Sequence, residues 1–461
     1  MDHQPDIIAA PATAPGEAGI AIVRCSGNGV RSALLPYFRP HRRGTDITRS
    51  NGWQLNLGWL LDQQEHEIDQ VLLALMPGPR SYTGEDVVEI HCHGGTVAVR
   101  QVLQLCLTVG MRLAEPGEFT RRAFLNGRID LGQAEAVVDI IRARTERSLR
   151  YAIQQLSGKN RHYFDTIEDR LLGIGAQVEA AIDFPDEVDE PDRSTLREQL
   201  QELVNTMEQL IQAADRAKIY REGARMVICG KPNVGKSSLM NALSRKEKAI
   251  VTPIPGTTRD VIEEYINVRG IPVMVADTAG IHDTNDQIEQ IGIARSRESL
   301  QNADLVLLVL DLGSGIVKED LDIFQELNRE RLIILLNKDD LPESRISETE
   351  IGQHFSGVRL LRTSLLEDRG LEELESQIEI LLLKPDASRE RLELSFSLRQ
   401  QETLCRCRGL LQELTMELDT LSLDLIAVDL ALVLELLGQL SGRSLKEDVL
   451  DRIFHDFCIG K

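Results

Sequence analysis

Short apolar runs separated by turn residues fill residues 1–120. Gly19–Arg24 reads as a strand, and Asp86–His93 as another, bounded by Thr83-Gly84 and Gly94-Gly95. Glycine, proline and β-branched residues are frequent, which predicts an α+β domain. From Ala123 towards Arg216 the period changes: Ala134, Val137, Val138 and Ile141 recur at helical spacing. Prolines and acids break that pattern over residues 183–193, which read as a loop. From Ala217 to Lys384 strands alternate with helices, the pattern of a parallel α/β sheet. Met226–Cys229, Val273–Ala276, Leu305–Leu310 and Leu332–Leu336 are near-continuous apolar runs, as strands covered on both faces are. After Pro385 the helical pattern returns. The expected organisation is an α+β domain over 1–120, a helical domain split between 121–216 and 385–461, and an α/β domain inserted at 217–384.

Gly230-Lys-Pro-Asn-Val-Gly-Lys-Ser237 matches the phosphate loop GxxxxGK[ST], between a predicted strand and a predicted helix. Its glycines let backbone N–H groups curl round phosphates, and the helix N-terminus adds its positive dipole end. Lys236 would reach the β- and γ-phosphates and Ser237 would bind Mg²⁺. Asp277-Thr-Ala-Gly280 ends one predicted strand: Asp277 can hold Mg²⁺ through water and the Gly280 N–H can meet the γ-phosphate. Asn337-Lys-Asp-Asp340 ends another, where Asp340 can accept two hydrogen bonds from guanine; adenine would leave that carboxylate unpaired. Three such motifs at strand C-terminal ends predict a GTP-binding domain. A glutamine that orients water often follows Asp-x-x-Gly, but Ile281 stands there. Glu289 and Asp286 lie downstream; spacing alone favours a solvated carboxylate for either.

Hydrophobic residues make up 42% and charged residues 27% of the 461, an ordinary globular balance that argues against disorder. Lys plus Arg is 52 and Asp plus Glu 73, a net charge of -21. That argues against a surface gripping nucleic acid over its whole area and disfavours a lipid-bound one, and leaves room for local basic stretches or a basic partner. The seven cysteines are scattered without a CxxC, which points to reduced thiols in the cytoplasm. Neither a signal peptide nor an apolar run of the ~18 residues a membrane span needs is expected. In Asp86–His93 the alternation puts Glu89, His91 and His93 on one face and Cys92 on the other, which argues against a zinc cluster.

The chain resembles the MnmE (TrmE) family of tRNA-modifying GTPases along its whole length. The resemblance is carried by Ile8-Ala-Ala-Pro-Ala-Thr-Ala-Pro-Gly16, Gly19–Gly27, Tyr82–Gly95, Pro116–Asn126, Ala180–Asp186 and the ending Phe457-Cys-Ile-Gly-Lys461, besides the nucleotide motifs. It implies an N-terminal α+β domain that dimerises and binds a tetrahydrofolate derivative (5-formyl or 5,10-methylene). It implies a split helical domain with an inserted Ras-like P-loop G domain, mostly parallel in its sheet. It also implies a cytoplasmic homodimer that forms a heterotetramer with the flavoprotein MnmG and installs a carboxymethylaminomethyl or aminomethyl group at C5 of the wobble uridine of certain tRNAs.

The implied GTP contacts are Asn233, Val234, Gly235, Lys236, Ser237 and Ser238; Thr252, Pro253, Ile254, Pro255, Gly256, Thr257 and Thr258; Asp277, Thr278, Ala279 and Gly280; Asn337, Lys338 and Asp340; and Ser364, Leu365 and Leu366. Mg²⁺ falls to Ser237 and Thr258, and K⁺ to Asn233, Thr252, Ile254 and Thr257. K⁺ and G-domain dimerisation then take the part of an arginine finger. Glu289 aligns with the acid that acts on the attacking water, and Cys458 with a cysteine needed for modification. Arg24, Glu89, Arg128 and Lys461 match the folate positions. The chain departs from the family at Thr363-Ser364-Leu365, where Ser-Ala is usual; the Leu365 bulk predicts weaker nucleotide affinity. Arg142–Arg150 and Arg406–Arg408 read as solvated helix faces, with tRNA contact as the alternative. A regulatory GTPase without modification chemistry would share the nucleotide motifs and leave residues 1–120 and Cys458 without a role. A membrane-remodelling G protein is disfavoured by the acidic balance.

Overall fold

The computed structural model describes residues 6–42, 47, 52–246, 264–276, 300–342, 345–383, 394–441, 447–455, 457 and 459–461. They fall into two units, Met1–Val138 with Arg161–Pro191 and Asp419–Lys461, and Asp139–Asn160 with Asp192–Leu418.

The first unit carries β1 (Ile8–Pro11), β2 (Ala18–Ser26), α1 (Val30–Leu34), β3 (Phe38–Pro40), β4 (Gln54–Leu61), β5 (Glu67–Met76), β6 (Val87–Gly94), α2 (Thr96–Thr108), β7 (Arg112–Leu113) and α3 (Glu118–Leu125). The strands form one sheet in the order β3-β4-β5-β6-β2-β1-β7, antiparallel except between β1 and β7. On one face Phe119 of α3 packs against Ile8 and Ala10 of β1; on the other α2 builds the main core, and burial alternates along β5 and β6 accordingly. Val23, Cys25, Val71, Leu73, Leu75, Val88 and Ile90 meet Val102, Leu105 and Cys106 of α2 in that core. A smaller core joins α4 (Leu131–Arg142) to the C-terminal segment through Leu131, Ala134, Leu450, Phe454 and Phe457.

In the second unit α5 (Glu146–Leu156), the first residues of α6 (Lys159–Asp183) and α7 (Arg193–Glu222) lead into β8 (Ala224–Cys229), α8 (Lys236–Lys246), β9 (Glu264–Val268), β10 (Ile271–Ala276), β11 (Leu305–Asp311), α9 (Lys318–Glu326), β12 (Leu332–Asn337), α10 (Glu348–His354), β13 (Arg359–Thr363), α11 (Leu371–Leu383) and α12 (Leu398–Glu417). The chain ends in α13 (Leu423–Ser441) and α14 (Glu447–His455), which belong to the first unit. The second sheet has the order β13-β12-β11-β8-β10-β9, parallel apart from the β9–β10 hairpin. Counted from β8 that is 6-5-4-1-3-2.

The apolar runs have a direct cause. Ile228, Leu305, Leu307, Val309, Ile333 and Leu335 face a core shared with α8 and α11. Cys229, Val306, Leu308, Leu310, Ile334 and Leu336 face the opposite core, shared with Phe324 of α9 and with Ile351 and Phe355. Each fully buried aliphatic side chain contributes about 1.5–3 kcal/mol, which fixes the register of the central strands. α7 packs along α12 with Leu196, Leu200, Leu203, Met207 and Leu210 buried. The expected loop at 183–193 lies between the end of α6 and the start of α7, where the Asp192 side chain accepts from the Thr195 N–H at 3.0 Å.

The N-terminus of α5 is fastened to the β9–β10 turn. Thr145 Oγ1 caps the helix by accepting from Ser148 N and donates to the Gly270 carbonyl at 2.7 Å. The Arg144 guanidinium lies 3.4 Å from the Tyr265 ring centroid, and Arg147 stacks on Tyr220 and pairs with Glu379. Arg144 and Arg147 of the basic stretch are thus engaged within this unit, and Arg408 lies 3.9 Å from Glu208.

Candidate functional site

The phosphate loop follows β8 and opens α8. Val234 is buried, whereas Asn233, Ser237 and Ser238 are exposed at the helix N-terminus. Asn233 adopts a positive φ of 63°, which asparagine tolerates. Gly235 (φ 107°) has no alternative: a Cβ there would stand 2.4 Å from Asn337 Nδ2. Lys236 Nζ donates to the Gly230 and Lys231 carbonyls at 2.8 and 2.7 Å, which centres its charge on the loop.

Asn337 ends β12. Its Nδ2 donates to the Val234 carbonyl at 2.8 Å, joining the base-side loop to the phosphate loop. Its buried Oδ1 has no hydrogen-bond partner among the described residues. Lys338 (φ 68°) pairs with Asp311 at 2.7 Å. Asp340 Oδ1 accepts from Ser364 Oγ at 2.7 Å, and that hydrogen bond holds its carboxyl below the usual carboxylate range. Ser364 is fixed by reciprocal backbone hydrogen bonds with Arg369. Leu365 packs against the core beside the Gly235 position, and Leu366 is 84% exposed. Thr252, Pro253, Ile254, Pro255, Gly256, Thr257, Thr258, Asp277, Thr278, Ala279, Gly280 and Glu289 lie outside the described residues, as do Ile281 and Asp286.

A second constellation lies in the first unit. Arg24 on β2 and Glu89 on β6 are register partners, and Arg24 Nε donates to Glu89 Oε1 at 2.8 Å, each side chain 16% exposed. The guanidinium lies 5.3 Å from the Tyr82 ring centroid and 5.7 Å from that of Phe119, and Nη1 donates to the Gly460 carbonyl at 3.3 Å. The structure thus brings Arg24, Glu89 and the residue before Lys461 together. Arg128 is exposed and donates from Nε to the Ser81 carbonyl, next to Tyr82. His91 Nε2 stands 3.4 Å from Glu89 Oε2. Burial raises the Tyr82 hydroxyl above its ordinary pKa, against a hydrogen bond with Thr120 that lowers it. Cys458 lies outside the described residues.

Sequence reasoning put His91 on the Glu89 face of its strand but gave Tyr82, Phe119 and Gly460 no part in this constellation, although all three sit inside motifs that carry the family resemblance. It also missed Lys231, Asp311 and Asp320. Among the described residues no group of three or more His, Cys, Asp or Glu is placed to hold a metal ion.

A sheet ordered 6-5-4-1-3-2, with a GKS loop after its first strand and an NKDD turn after its fifth, defines a Ras-like P-loop nucleotide-binding domain, in a chain that also holds an α+β domain. The chain belongs to the MnmE (TrmE) family. A family model described as the MnmE helical domain matches residues 131–458, and one described as GTP-binding protein TrmE N-terminus matches residues 7–128. A relative in Syntrophomonas wolfei, named tRNA modification GTPase MnmE, is 53% identical over 456 residues, 99% of both chains. One of the same name in Clostridioides difficile is 44% identical over 458 residues, again 99% of both. Among solved structures, Aquifex aeolicus Era bound to GDP and AlF4⁻ is 25% identical over 41% of this chain and 66% of its own, with a TM-score of 0.28. The G domain of T. maritima FeoB is 29% identical over 34% of this chain and 98% of its own, with a TM-score of 0.26.

Proposed function

We propose that this chain is a K⁺-dependent GTPase of the cytoplasm that works as a homodimer. In a heterotetramer with MnmG it installs a carboxymethylaminomethyl or aminomethyl group at C5 of the wobble uridine of certain tRNAs. Hydrolysis follows from dimerisation of the G domains. The observation that carries the nucleotide reading is the Asn337–Val234 hydrogen bond, which ties the base-side and phosphate-side motifs into one site. The full-length likeness to relatives named tRNA modification GTPase MnmE supports the rest.

The described residues suit the groups this reading needs. Lys236 and the exposed start of α8 present positive charge to phosphates, and Ser237 would hold Mg²⁺ with Thr258. Asn233, exposed in its left-handed conformation, would hold K⁺ with Thr252, Ile254 and Thr257. When bound, these cations offset charge on the transferring phosphoryl group, and the folate supplies a one-carbon unit. Asp340, oriented by Ser364, accepts from guanine, while Asn337 and Lys338 flank the base and Ser364–Leu366 close over it. Asp277–Gly280 and Pro253–Gly256 contact the phosphate side, and Glu289 orients the attacking water where Ile281 is unable to. In the first unit, Arg24, Arg128 and Lys461 would supply cations to a folate, and Glu89, paired with Arg24, would accept from pterin N–H groups. Cys458 serves the modification step. None of the helices among the described residues is long and apolar enough to cross a membrane.

The test is GTP turnover by the purified protein with K⁺ exchanged for Na⁺ at constant ionic strength. Turnover rises in K⁺ if the reading holds; equal rates in the two salts refute the cation assignment.

A further inference from the structure

The connection from β11 into α9 carries two acids that no nucleotide motif includes, and each is paired to a lysine of a different nucleotide loop. Asp320, in the first turn of α9, is 1% exposed; its Oδ2 lies 2.9 Å from Lys231 Nζ and accepts from Val317 N at 3.1 Å. Its Oδ1 is buried without a hydrogen-bond partner among the described residues. Asp311, the last residue of β11, pairs through Oδ2 with Lys338 Nζ at 2.7 Å, and its Oδ1 accepts from Gly313 N at 2.8 Å. Asp311 is the register partner of Asn337, and Leu312 N donates to the Asn337 carbonyl.

Burying a carboxylate costs several kcal/mol, so a buried pair is weak evidence for stability and points to a geometric role. Lys231 is the second residue of the phosphate loop, and its carbonyl is one of the two that hold Lys236 Nζ. Anchoring its side chain on Asp320 draws that cation away from the loop mouth and fixes the carbonyl that sets Lys236. The Asp311 pair acts likewise on Lys338, whose backbone is already in the left-handed region.

We infer that the β11–α9 connection is a brace with two arms: Asp320 positions the phosphate loop through Lys231, and Asp311 positions the base-side loop through Lys338. Both acids are positioning residues, and the inference rests on the nucleotide reading of the site. The arms differ in which part of the ligand they serve. Losing the Asp320 arm weakens binding of phosphates; losing the Asp311 arm weakens binding of the nucleoside. A loss of fold would weaken both together.

The experiment is equilibrium competition on the full-length protein, displacing a fluorescent guanine nucleotide with GTP, GDP or guanosine. Asp320→Asn should weaken GTP and GDP about tenfold, the worth of a charged hydrogen bond, and leave guanosine unchanged. Removing both members of a buried pair is gentler on the fold than orphaning one. The double variant Lys231→Met with Asp320→Asn therefore decides the matter if the single variant does not fold, and the same selective loss is expected. Asp311→Asn should weaken GTP and guanosine by a common factor while displacement by inorganic tripolyphosphate stays as in the unaltered protein, which a loss of fold would not allow. A double variant that binds GTP as the unaltered protein does, or loses guanosine in step with GTP, overturns the phosphate arm. Unchanged guanosine binding in Asp311→Asn overturns the base arm. Equal affinity of the unaltered protein for GTP and ATP overturns only the guanine reading of Asp340, and the brace is then decided with ATP and adenosine.

Discussion

Ser364 works on guanine through Asp340. Guanine's two N–H groups need both Asp340 oxygens as acceptors, which only the ionised carboxyl offers, because protonation turns one oxygen into a donor. The Ser364 hydroxyl stabilises that form, so the Asp340 pKa is lowered and the acceptor survives to lower pH than an ordinary aspartate. The sign follows. Binding is complete above the depressed pKa and is lost as pH falls through it. Ser364→Ala lets the pKa climb back, so the acid limb of GDP binding moves to higher pH, and affinity at neutral pH falls about fivefold. A titration of GDP affinity from neutral pH down to roughly pH 3 reads both effects. Superimposed limbs for the two proteins would mean that Ser364 does not set the charge state of Asp340.

Among the elements, the β9–β10 hairpin turns on a single glycine. Gly270 has φ 88°, and a Cβ there would lie 2.9 Å from Arg147 Cδ and 3.1 Å from Arg147 Cβ. Gly357 has a similar φ of 79° with open space around it. Gly357→Ala should therefore cost only backbone strain, about 1 kcal/mol, and Gly270→Ala about 2 kcal/mol or more because it also lifts Arg147 off the turn. Urea unfolding monitored on both variants measures the difference, and equal midpoints would show that the α5 fastening adds nothing. This element also marks where legibility in the sequence stops. Leu305–Leu310 and Leu332–Leu336 were readable because cores on both faces demand unbroken apolar runs. The Gly230–Ser237 loop and the Asn337–Asp340 turn were readable because their chemistry is contiguous. The short strand β13, with Arg359 and Arg362 exposed, carries no such run, and β9 begins beyond a stretch with no apolar period. The pairs Lys231–Asp320, Lys338–Asp311 and Thr145–Gly270 join residues far apart in sequence, which no local pattern announces.

At the scale of the whole molecule, the cores of the two sheets, as far as the described residues show them, lie in different units. The clusters built on β2, β5 and β6 and on Phe454 belong to the first, and both faces of the β8–β13 sheet belong to the second. The two candidate sites are divided in the same way, with Arg24 and Glu89 in one unit and Lys236, Asn337 and Asp340 in the other. Chains with separate cores depart from all-or-none unfolding, and a ligand stabilises only the body that binds it. At a free concentration of about 100 times its Kd a ligand adds about 2.7 kcal/mol. Each kcal/mol raises the midpoint of a body of this size by roughly 2–4 °C. Calorimetry should accordingly resolve two transitions, one raised by GDP alone and the other by 5-formyltetrahydrofolate alone. Lys236→Met should abolish the first shift and spare the second, and Arg24→Met should do the reverse. If both ligands move the same transition, the separation of the two sites between the two bodies is wrong, because linkage admits no shift in a body that does not bind.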